Sequence, residues 1–373
     1  MKDTHTLRTR LLPIAALAGL CLGLHGCIER DGPAGTDGGS TGGSTGGETT
    51  GGGSTDPGVC AALPAAATTY KGGDALGEEL SVALDPATLA YTITVDASLQ
   101  RSAGTQRSGT LVAVDGCTYE SAENGARFTI GTGGVLLGGI AAPQGSAATP
   151  LLAFATTFSN ADTPTVFNPV AAIYDVIGVT RSGASDAPYG GAGRIRNAGT
   201  FQLCVDTANG GFMSYDAGCA NTAKGYLNYN ATRGAFDLYA TDPAGGASTS
   251  GGTLAGSMVI GLVDGAALPL QLLRTSASEV GLRLYAPQAA LAAGSADGDY
   301  ASLDSNGASG SASWSGTAFS DGSGSATLAY DTPVAGVVQA SGTPAGWLLY
   351  GSGVYGFVPA DGSGAALTLG LRR

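Results

Sequence analysis

The sequence predicts an all-β fold made of two antiparallel β modules of the sandwich or small soluble-barrel type. Three observations predict it. Apolar residues recur with period two in short runs, as in Leu89-Ala90-Tyr91-Thr92-Ile93-Thr94-Val95, the spacing that lines one face of a strand. The runs are punctuated by Gly, Asp, Asn and Ser, and the 373-residue chain holds 63 Gly. Helical spacing is scarce. Leu76, Leu80 and Leu84 fit it, but Leu80, Val82 and Leu84 also alternate, and Asp85-Pro86 ahead of a strong strand favours a hairpin arm.

The first element is an address. Lys2, Arg8 and Arg10 precede an apolar run over residues 11–24, too short to span a membrane and interrupted by Pro13. The run ends in Leu24-His25-Gly26-Cys27, which resembles the lipobox of bacterial lipoproteins. There an aliphatic residue stands three before a Cys, a small residue stands directly before it, and the Cys is lipidated as the new N-terminus. Leu24, Gly26 and Cys27 match, while His25 sits where a small residue is more usual. The resemblance covers residues 1–27 alone. It implies a signal peptide over 1–26, Cys27 as the lipid acceptor with palmitate among its acyl chains, and, with Ile28 after the Cys, sorting to the outer membrane.

Residues 27–58 read as a lipid-anchored tether. Residues 31–58 carry twelve Gly and nine Ser or Thr with almost no apolar side chains, so they bury too little to offset the entropy of folding. Their root-mean-square reach is roughly 29 Å. Two matches to the G-x-S-x-G expression, at 38–42 and 42–46, follow from this composition and lack the strand and helix a nucleophile elbow needs.

The remaining chain is longer than one hydrophobic core usually serves, so an N-terminal module over 59–222 and a C-terminal module over 223–373 are expected. Alternating runs continue at 110–114, 126–130, 200–205, 226–229, 235–239, 280–285, 326–330 and 367–371. The best helix candidate is 287–293, with Pro287 at a first-turn position and Gly294 as its stop. A faint internal repeat suggests duplication. Residues 134–140 and 145–152 form two apolar runs across a turn, 257–263 and 265–272 do the same, and 353–358 with 365–371 make a partial third copy. A transmembrane barrel is set aside, because Ala, Ser and Gly dominate many strands, aromatics are only 7%, and a lipid anchor would be redundant on it.

With Cys21 in the signal peptide and Cys27 lipidated, Cys60, Cys117, Cys204 and Cys219 remain, an even number in an exported chain. Of the three pairings, Cys60–Cys117 with Cys204–Cys219 is the expectation. A four-thiolate zinc site would want Cys-x-x-Cys spacing, which is missing.

Composition narrows the chemistry. Both histidines, His5 and His25, lie in the segment removed on export, which leaves no imidazole for Ser-His-Asp or Cys-His catalysis or for a His-ligated metal. The net charge of -12 does not fit a nucleic-acid partner. Carboxylates can still serve a glycosidase, and the candidates are Glu78, Glu79, Glu120, Glu123 and Glu279, all expected as solvated surface charge. Asp297, Asp299 and Asp304 with Asn306 offer hard oxygen ligands, but their spacing is not that of a calcium loop and turn roles explain them. Trp314, Trp347, Tyr350 and Tyr355 are the densest aromatic group and the candidate ligand platform, with Trp347 and Tyr350 on opposite strand faces. No cofactor is called for.

The expectation is an outer-membrane-tethered lipoprotein acting as a cell-envelope or cell-surface binding module. Its partners would be the membrane through its anchor and a surface ligand or envelope protein. The alternatives are a carboxylate-dependent secreted hydrolase of glycosidase type and a purely structural envelope protein.

Overall fold

A computed structural model describes residues 60–141, 148–163, 166–183, 185–206, 209–217, 219, 223–362 and 364–373; the signal segment, Cys27 and the tether lie outside the described residues. The described chain is β throughout, with two three-residue 3-10 turns, Thr132–Gly134 and Tyr215–Ala217. No helix among the described residues is long and apolar enough to cross a membrane.

The strands form three antiparallel sheets. The first contains β1 (Thr68–Asp74), β2 (Glu79–Leu84), β3 (Ala90–Ala97), β4 (Gln106–Thr110), β5 (Val112–Asp115), β6 (Thr118–Glu120), β7 (Arg127–Gly131), β8 (Val135–Ala141) and β9 (Ala148–Phe154). The second contains β10 (Ala172–Ser182), β11 (Ser185–Ile195), β12 (Thr200–Cys204), β13 (Ala223–Asn230), β14 (Ala235–Thr241), β15 (Thr253–Val263), β16 (Ala266–Ser276) and β17 (Glu279–Pro287). The third contains β18 (Gly298–Asp304), β19 (Ser309–Ser315), β20 (Ala318–Asp321), β21 (Gly324–Tyr330), β22 (Val337–Gly342), β23 (Gly346–Gly351), β24 (Val354–Pro359) and β25 (Thr368–Arg372).

Each sheet is an up-and-down meander in which the last strand returns to the first. β10 pairs with β17 and β18 with β25, closing two eight-stranded barrels. In the first sheet β1 pairs with β9, and its two edges, β4 and β5, are consecutive in the chain, separated by the buried Leu111. The Leu111 N–H donates to the Leu89 carbonyl at 2.9 Å, so one kinked stretch serves both edges and the barrel is nearly closed. Tight turns make the meander possible. Asp264 (φ 51°) and Gly265 (φ 81°) join β15 to β16, and Ser352 (φ 50°) and Gly353 (φ 79°) join β23 to β24, the paired positive φ values of two-residue hairpins.

The all-β antiparallel class is as the sequence predicts, but there are three sheets rather than two modules. The expected boundary at 222/223 falls inside the second barrel, between β12 and β13. Eight short strands joined by tight turns close a barrel within residues 298–372, far less chain than an independent module of ordinary size. The helix expected at 287–293 does not form either. β17 continues through Pro287, which sits at the strand's end opposite Tyr174, where a missing N–H is tolerated.

Each barrel is filled by its own side chains. Tyr70, Leu80, Val82 and Phe128 fill the first, Tyr174, Phe201, Phe236 and Met258 the second, and Tyr300, Trp314, Phe319 and Tyr355 the third. A fourth apolar cluster lies between the barrels and takes residues from all three: Leu152 and Phe154, Ile177 and Leu284, Val354 and Leu371 among them. Strands facing this shared core are buried on both sides. In β9, Leu151 and Ala153 point into the first barrel while Leu152 and Phe154 point into the shared core. The repeat seen in the sequence marks these strands: β8–β9, β15–β16 and β24–β25 are hairpins that contribute to the shared core. They are the last two strands of the first and third barrels but the sixth and seventh of the second. Two-sided burial, which demands unbroken apolar runs, accounts for the likeness.

Away from the shared core the first and third barrels carry rows of hydroxyl side chains on their outer faces. Thr92 pairs with Ser108 on the first barrel, and Ser313, Ser320 and Ser325 lie side by side on the third. Apolar interiors with such hydroxyl rows outside are the reverse of a lipid-facing arrangement on these two barrels.

Candidate functional site

The five glutamates part into two groups. Glu120, Glu123 and Glu279 lie toward the surface, Glu120 pairing with Arg127 at 2.6 Å. Glu78 and Glu79 are buried, which corrects the expectation of solvated charge. They belong to the turn from β1 to β2, which inserts against the second barrel and also carries the buried Asp74. Asp74 Oδ1 accepts the N–H groups of Leu76 and Glu78 at 3.0 and 3.1 Å. Burial pushes the Asp74 carboxyl up to about 7, against the pull of Arg101.

Glu78 accepts from Ser98 at 2.7 Å and from Arg101 Nε at 2.8 Å. Glu79 turns the other way, accepting Arg233 Nε at 3.2 Å on both oxygens, with Arg274 3.9 Å away. Burial raises the Glu79 carboxyl and Arg233 opposes that rise. Arg274 also donates to the Gly77 carbonyl at 2.8 Å. The cluster is an ionic lock between the first and second barrels: its two glutamates diverge and each closes on an arginine. The partner of Glu79 lies 154 positions along the chain, and no local pattern announces it.

Of the aspartates near residue 300, Asp304 serves a turn as expected, Asp297 reaches across to the turn between β19 and β20, and Asp299 lies within β18 opposite Ser313. Asp304 Oδ1 accepts the N–H groups of Asn306 and Ala308 at 2.9 and 2.8 Å, and Asp297 Oδ1 accepts that of Gly316 at 2.7 Å.

The aromatic set divides by strand face. Trp314 and Tyr355 are each 1% exposed inside the third barrel, so they fill a core and form no platform. Trp314 Nε1 donates to the Tyr330 hydroxyl at 2.8 Å, and Tyr350 meets Trp314 edge to face at 5.9 Å. Packing in so many rings requires space: a Cβ on Gly370 would overlap the Tyr355 ring. Trp347, three residues before Tyr350 in β23, points outward as the strand period requires and is half-buried at the junction of the second and third barrels.

Trp347 lies in a groove of about 500 Å³ whose other walls include Pro188, Tyr189, Val205, Asp206 and Pro359. The loop after β12 forms one wall. The Cys204–Cys219 disulfide ties that loop to the strand end, and the Asp206 N–H donates to the Gly211 carbonyl at 3.0 Å. Phe212 plugs the loop into the shared core, its ring 6.3 Å from that of Trp347. Gly210, at φ 63°, passes directly over the indole, where a Cβ would come within 2.8 Å. On the opposite wall Tyr189 is braced by the Arg283 guanidinium, 3.8 Å from its ring centroid. The second disulfide joins Cys60 to Cys117 in the first barrel, so both bridges have the expected pairing.

Sequence reading picked out Trp347 but not its surroundings, which come from three segments brought together when the barrels pack. The usable signal was the strand period, which sets Trp347 and Tyr350 on opposite faces of β23.

No protein-family model matches the chain, and no curated protein matches it. Among solved structures, a protein of unknown function from the DUF3598 family of Nostoc punctiforme PCC 73102 is similar at 10% identity and a TM-score of 0.16. That match covers 82% of this chain and 94% of the other.

Proposed function

We propose that the protein is an outer-membrane-anchored binding module that takes a saccharide in the groove at Trp347. The observation that carries this reading is the half-exposed indole in a concave groove, walled by a disulfide-pinned loop and a braced tyrosine. An aromatic ring of this kind stacks on the apolar face of a sugar, and Asp206 supplies a polar group to orient hydroxyls. The lipobox-like Leu24-His25-Gly26-Cys27 and the Gly/Ser/Thr-rich tether support anchorage at an envelope surface, where a tethered binder can search for its ligand. The hydrolase alternative draws no support from Glu78 and Glu79, which diverge onto Arg101 and Arg233.

The test is a titration of the protein with neutral cello-, chito- and malto-oligosaccharides, followed by tryptophan emission and calorimetry. Trp314 is enclosed in the third barrel, so a change in emission reports Trp347. At least one series should shift the emission, and Trp347→Ala should abolish its binding while leaving the melting temperature within a few degrees. Equal binding by Trp347→Ala, or no binding in any series, would overturn the reading.

A further inference from the structure

The outer face of the second barrel differs in chemistry from those of its neighbours. Paired residues in a sheet share a face, so the register lines up Arg194, Gln202, Lys224 and Thr241 across four adjacent strands. A second row runs beside it. Arg196 donates its N–H to the Thr200 carbonyl at 2.9 Å, Thr200 pairs with Tyr226, Tyr226 with Tyr239, and Tyr239 with Leu254. The Tyr226 and Tyr239 rings stack at 5.0 Å with 8° between their planes. A row of three serines, Ser313, Ser320 and Ser325, crosses the third barrel, and Thr92 pairs with Ser108 on the first. Three cations and a tyrosine pair on one face stand out in a chain of net charge -12.

The cations are available. Arg194 and Arg196 are exposed and enter no ion pair among the described residues; the Arg194 guanidinium lies 5.9 Å from the Tyr215 ring centroid. Lys224 donates one hydrogen bond to the Gly245 carbonyl at 2.6 Å, and the Tyr226 hydroxyl donates to the Gly251 carbonyl at 2.9 Å. These two bonds hold the loop between β14 and β15 as a wall. Two cavities, of about 610 and 240 Å³, open along it and share Arg196, Thr200 and Ala247. Arg194 lines the larger and Lys224 the smaller. The acidic residues adjacent in sequence are Asp216, beside Tyr215, and Asp242, whose Oδ1 accepts the Ala244 N–H at 2.9 Å.

We propose that this cleft binds an acidic polysaccharide chain, pairing Arg194, Arg196 and Lys224 with carboxylate or sulfate groups on successive sugars beside the Tyr226–Tyr239 pair. An elongated, two-lobed concavity with cations along its length suits a chain bearing charge at intervals. An anionic bilayer would be met by several apolar side chains, whereas Leu254 is the one large hydrophobic residue strongly exposed on these two rows. The site is separate from the Trp347 groove and does not depend on the reading of that groove.

The exported full chain, kept in mild detergent, is tested by calorimetry and affinity electrophoresis against polygalacturonate, dextran sulfate, neutral dextran and phosphatidylglycerol vesicles. The wild type should bind polygalacturonate or dextran sulfate and not neutral dextran, with affinity falling as salt rises. Binding of one polyanion alone identifies the charged group and supports the proposal. Arg194→Gln with Arg196→Gln should lower affinity at least tenfold, and Tyr239→Ala should lower it severalfold. Both arginines are exposed, so the double variant should melt like the wild type. Failure to bind either polyanion, unaltered binding by the double variant, or binding to vesicles in place of polyanions would each overturn the proposal.

Discussion

Ile177 of the second barrel lies against Gly356 of the third so closely that a Cβ on the glycine would come within 2.6 Å of the isoleucine Cγ2. Similar approaches recur at the other junctions: Gly73 faces Leu272, and Gly131 faces Leu371. The barrels pack side by side because glycines at these points let a neighbouring branched side chain reach the sheet.

Gly356→Ala should therefore overpack the junction and cost about 1 to 3 kcal/mol in urea unfolding. Adding Ile177→Ala should make the second effect smaller than its own cost alone, because the two residues share one space. Simple additivity would show that the junction relaxes without strain.

The disulfide at Cys204 and Cys219 should couple stability to the groove. Replacing both by Ser frees a loop with a sequence separation of 15 and should cost about 3 kcal/mol in the chain-entropy model. The emission of Trp347 should shift to the red as its wall loosens. Replacing Cys60 and Cys117 should lower stability with no such shift.

Asp175 is fully buried in β10, and burial pushes its carboxyl up to about 7; the Gln288 amide, donating at 2.6 Å, opposes the rise and Asp331 adds to it. Unfolded, the group titrates near 3.8. Between those values the native state keeps a proton that the unfolded state has lost. Its stabilising contribution is thus whole below about pH 3.8 and declines as pH rises to 7. Asp175→Asn should remove the decline, so that its advantage over the wild type grows from pH 4 to pH 8 by about 2 kcal/mol or more. An offset that stays constant across this range would contradict the assignment.

The ionic lock should be costly to break from one side. Glu79→Ala leaves Arg233 and the buried Arg274 short of a partner and should destabilise by about 3 to 5 kcal/mol. Glu120→Ala, which breaks a half-exposed pair with Arg127, should cost under about 1 kcal/mol. Chemical denaturation of the two variants side by side makes the comparison.

Anchorage is tested by feeding cells a clickable fatty acid. The wild type should be labelled and sediment with membranes, and Cys27→Ser should yield no labelled mature protein. Unlabelled wild-type protein in the soluble fraction would refute the lipobox reading.

Strands with one solvated face were legible because the pattern that identifies them is local. Leu89 to Val95 alternates because Tyr91, Ile93 and Val95 enter the first barrel while Thr92 and Thr94 face outward. The split of Trp347 from Tyr350 was legible for the same reason. Glu78 and Glu79 were misread because burial of a charge depends on a cation elsewhere: Arg101 lies in a neighbouring loop, and Arg233 comes from another barrel.

By itself the sequence determined the all-β class, the period of the strands and the tight turns, and its even count of remaining cysteines called for two disulfides, all of which rest on residues near one another or on a count. Tertiary structure alone decided that there are three barrels, where their boundaries lie, and that one apolar cluster joins them. Barrel closure is made by backbone hydrogen bonds such as those of β10 with β17, which nearly any side chain permits, so it leaves little mark in the sequence. An apolar run likewise records that both faces are buried without recording what covers them. The Trp347 groove and the cation row of the second barrel exist only once distant strands are brought into register and the barrels are packed.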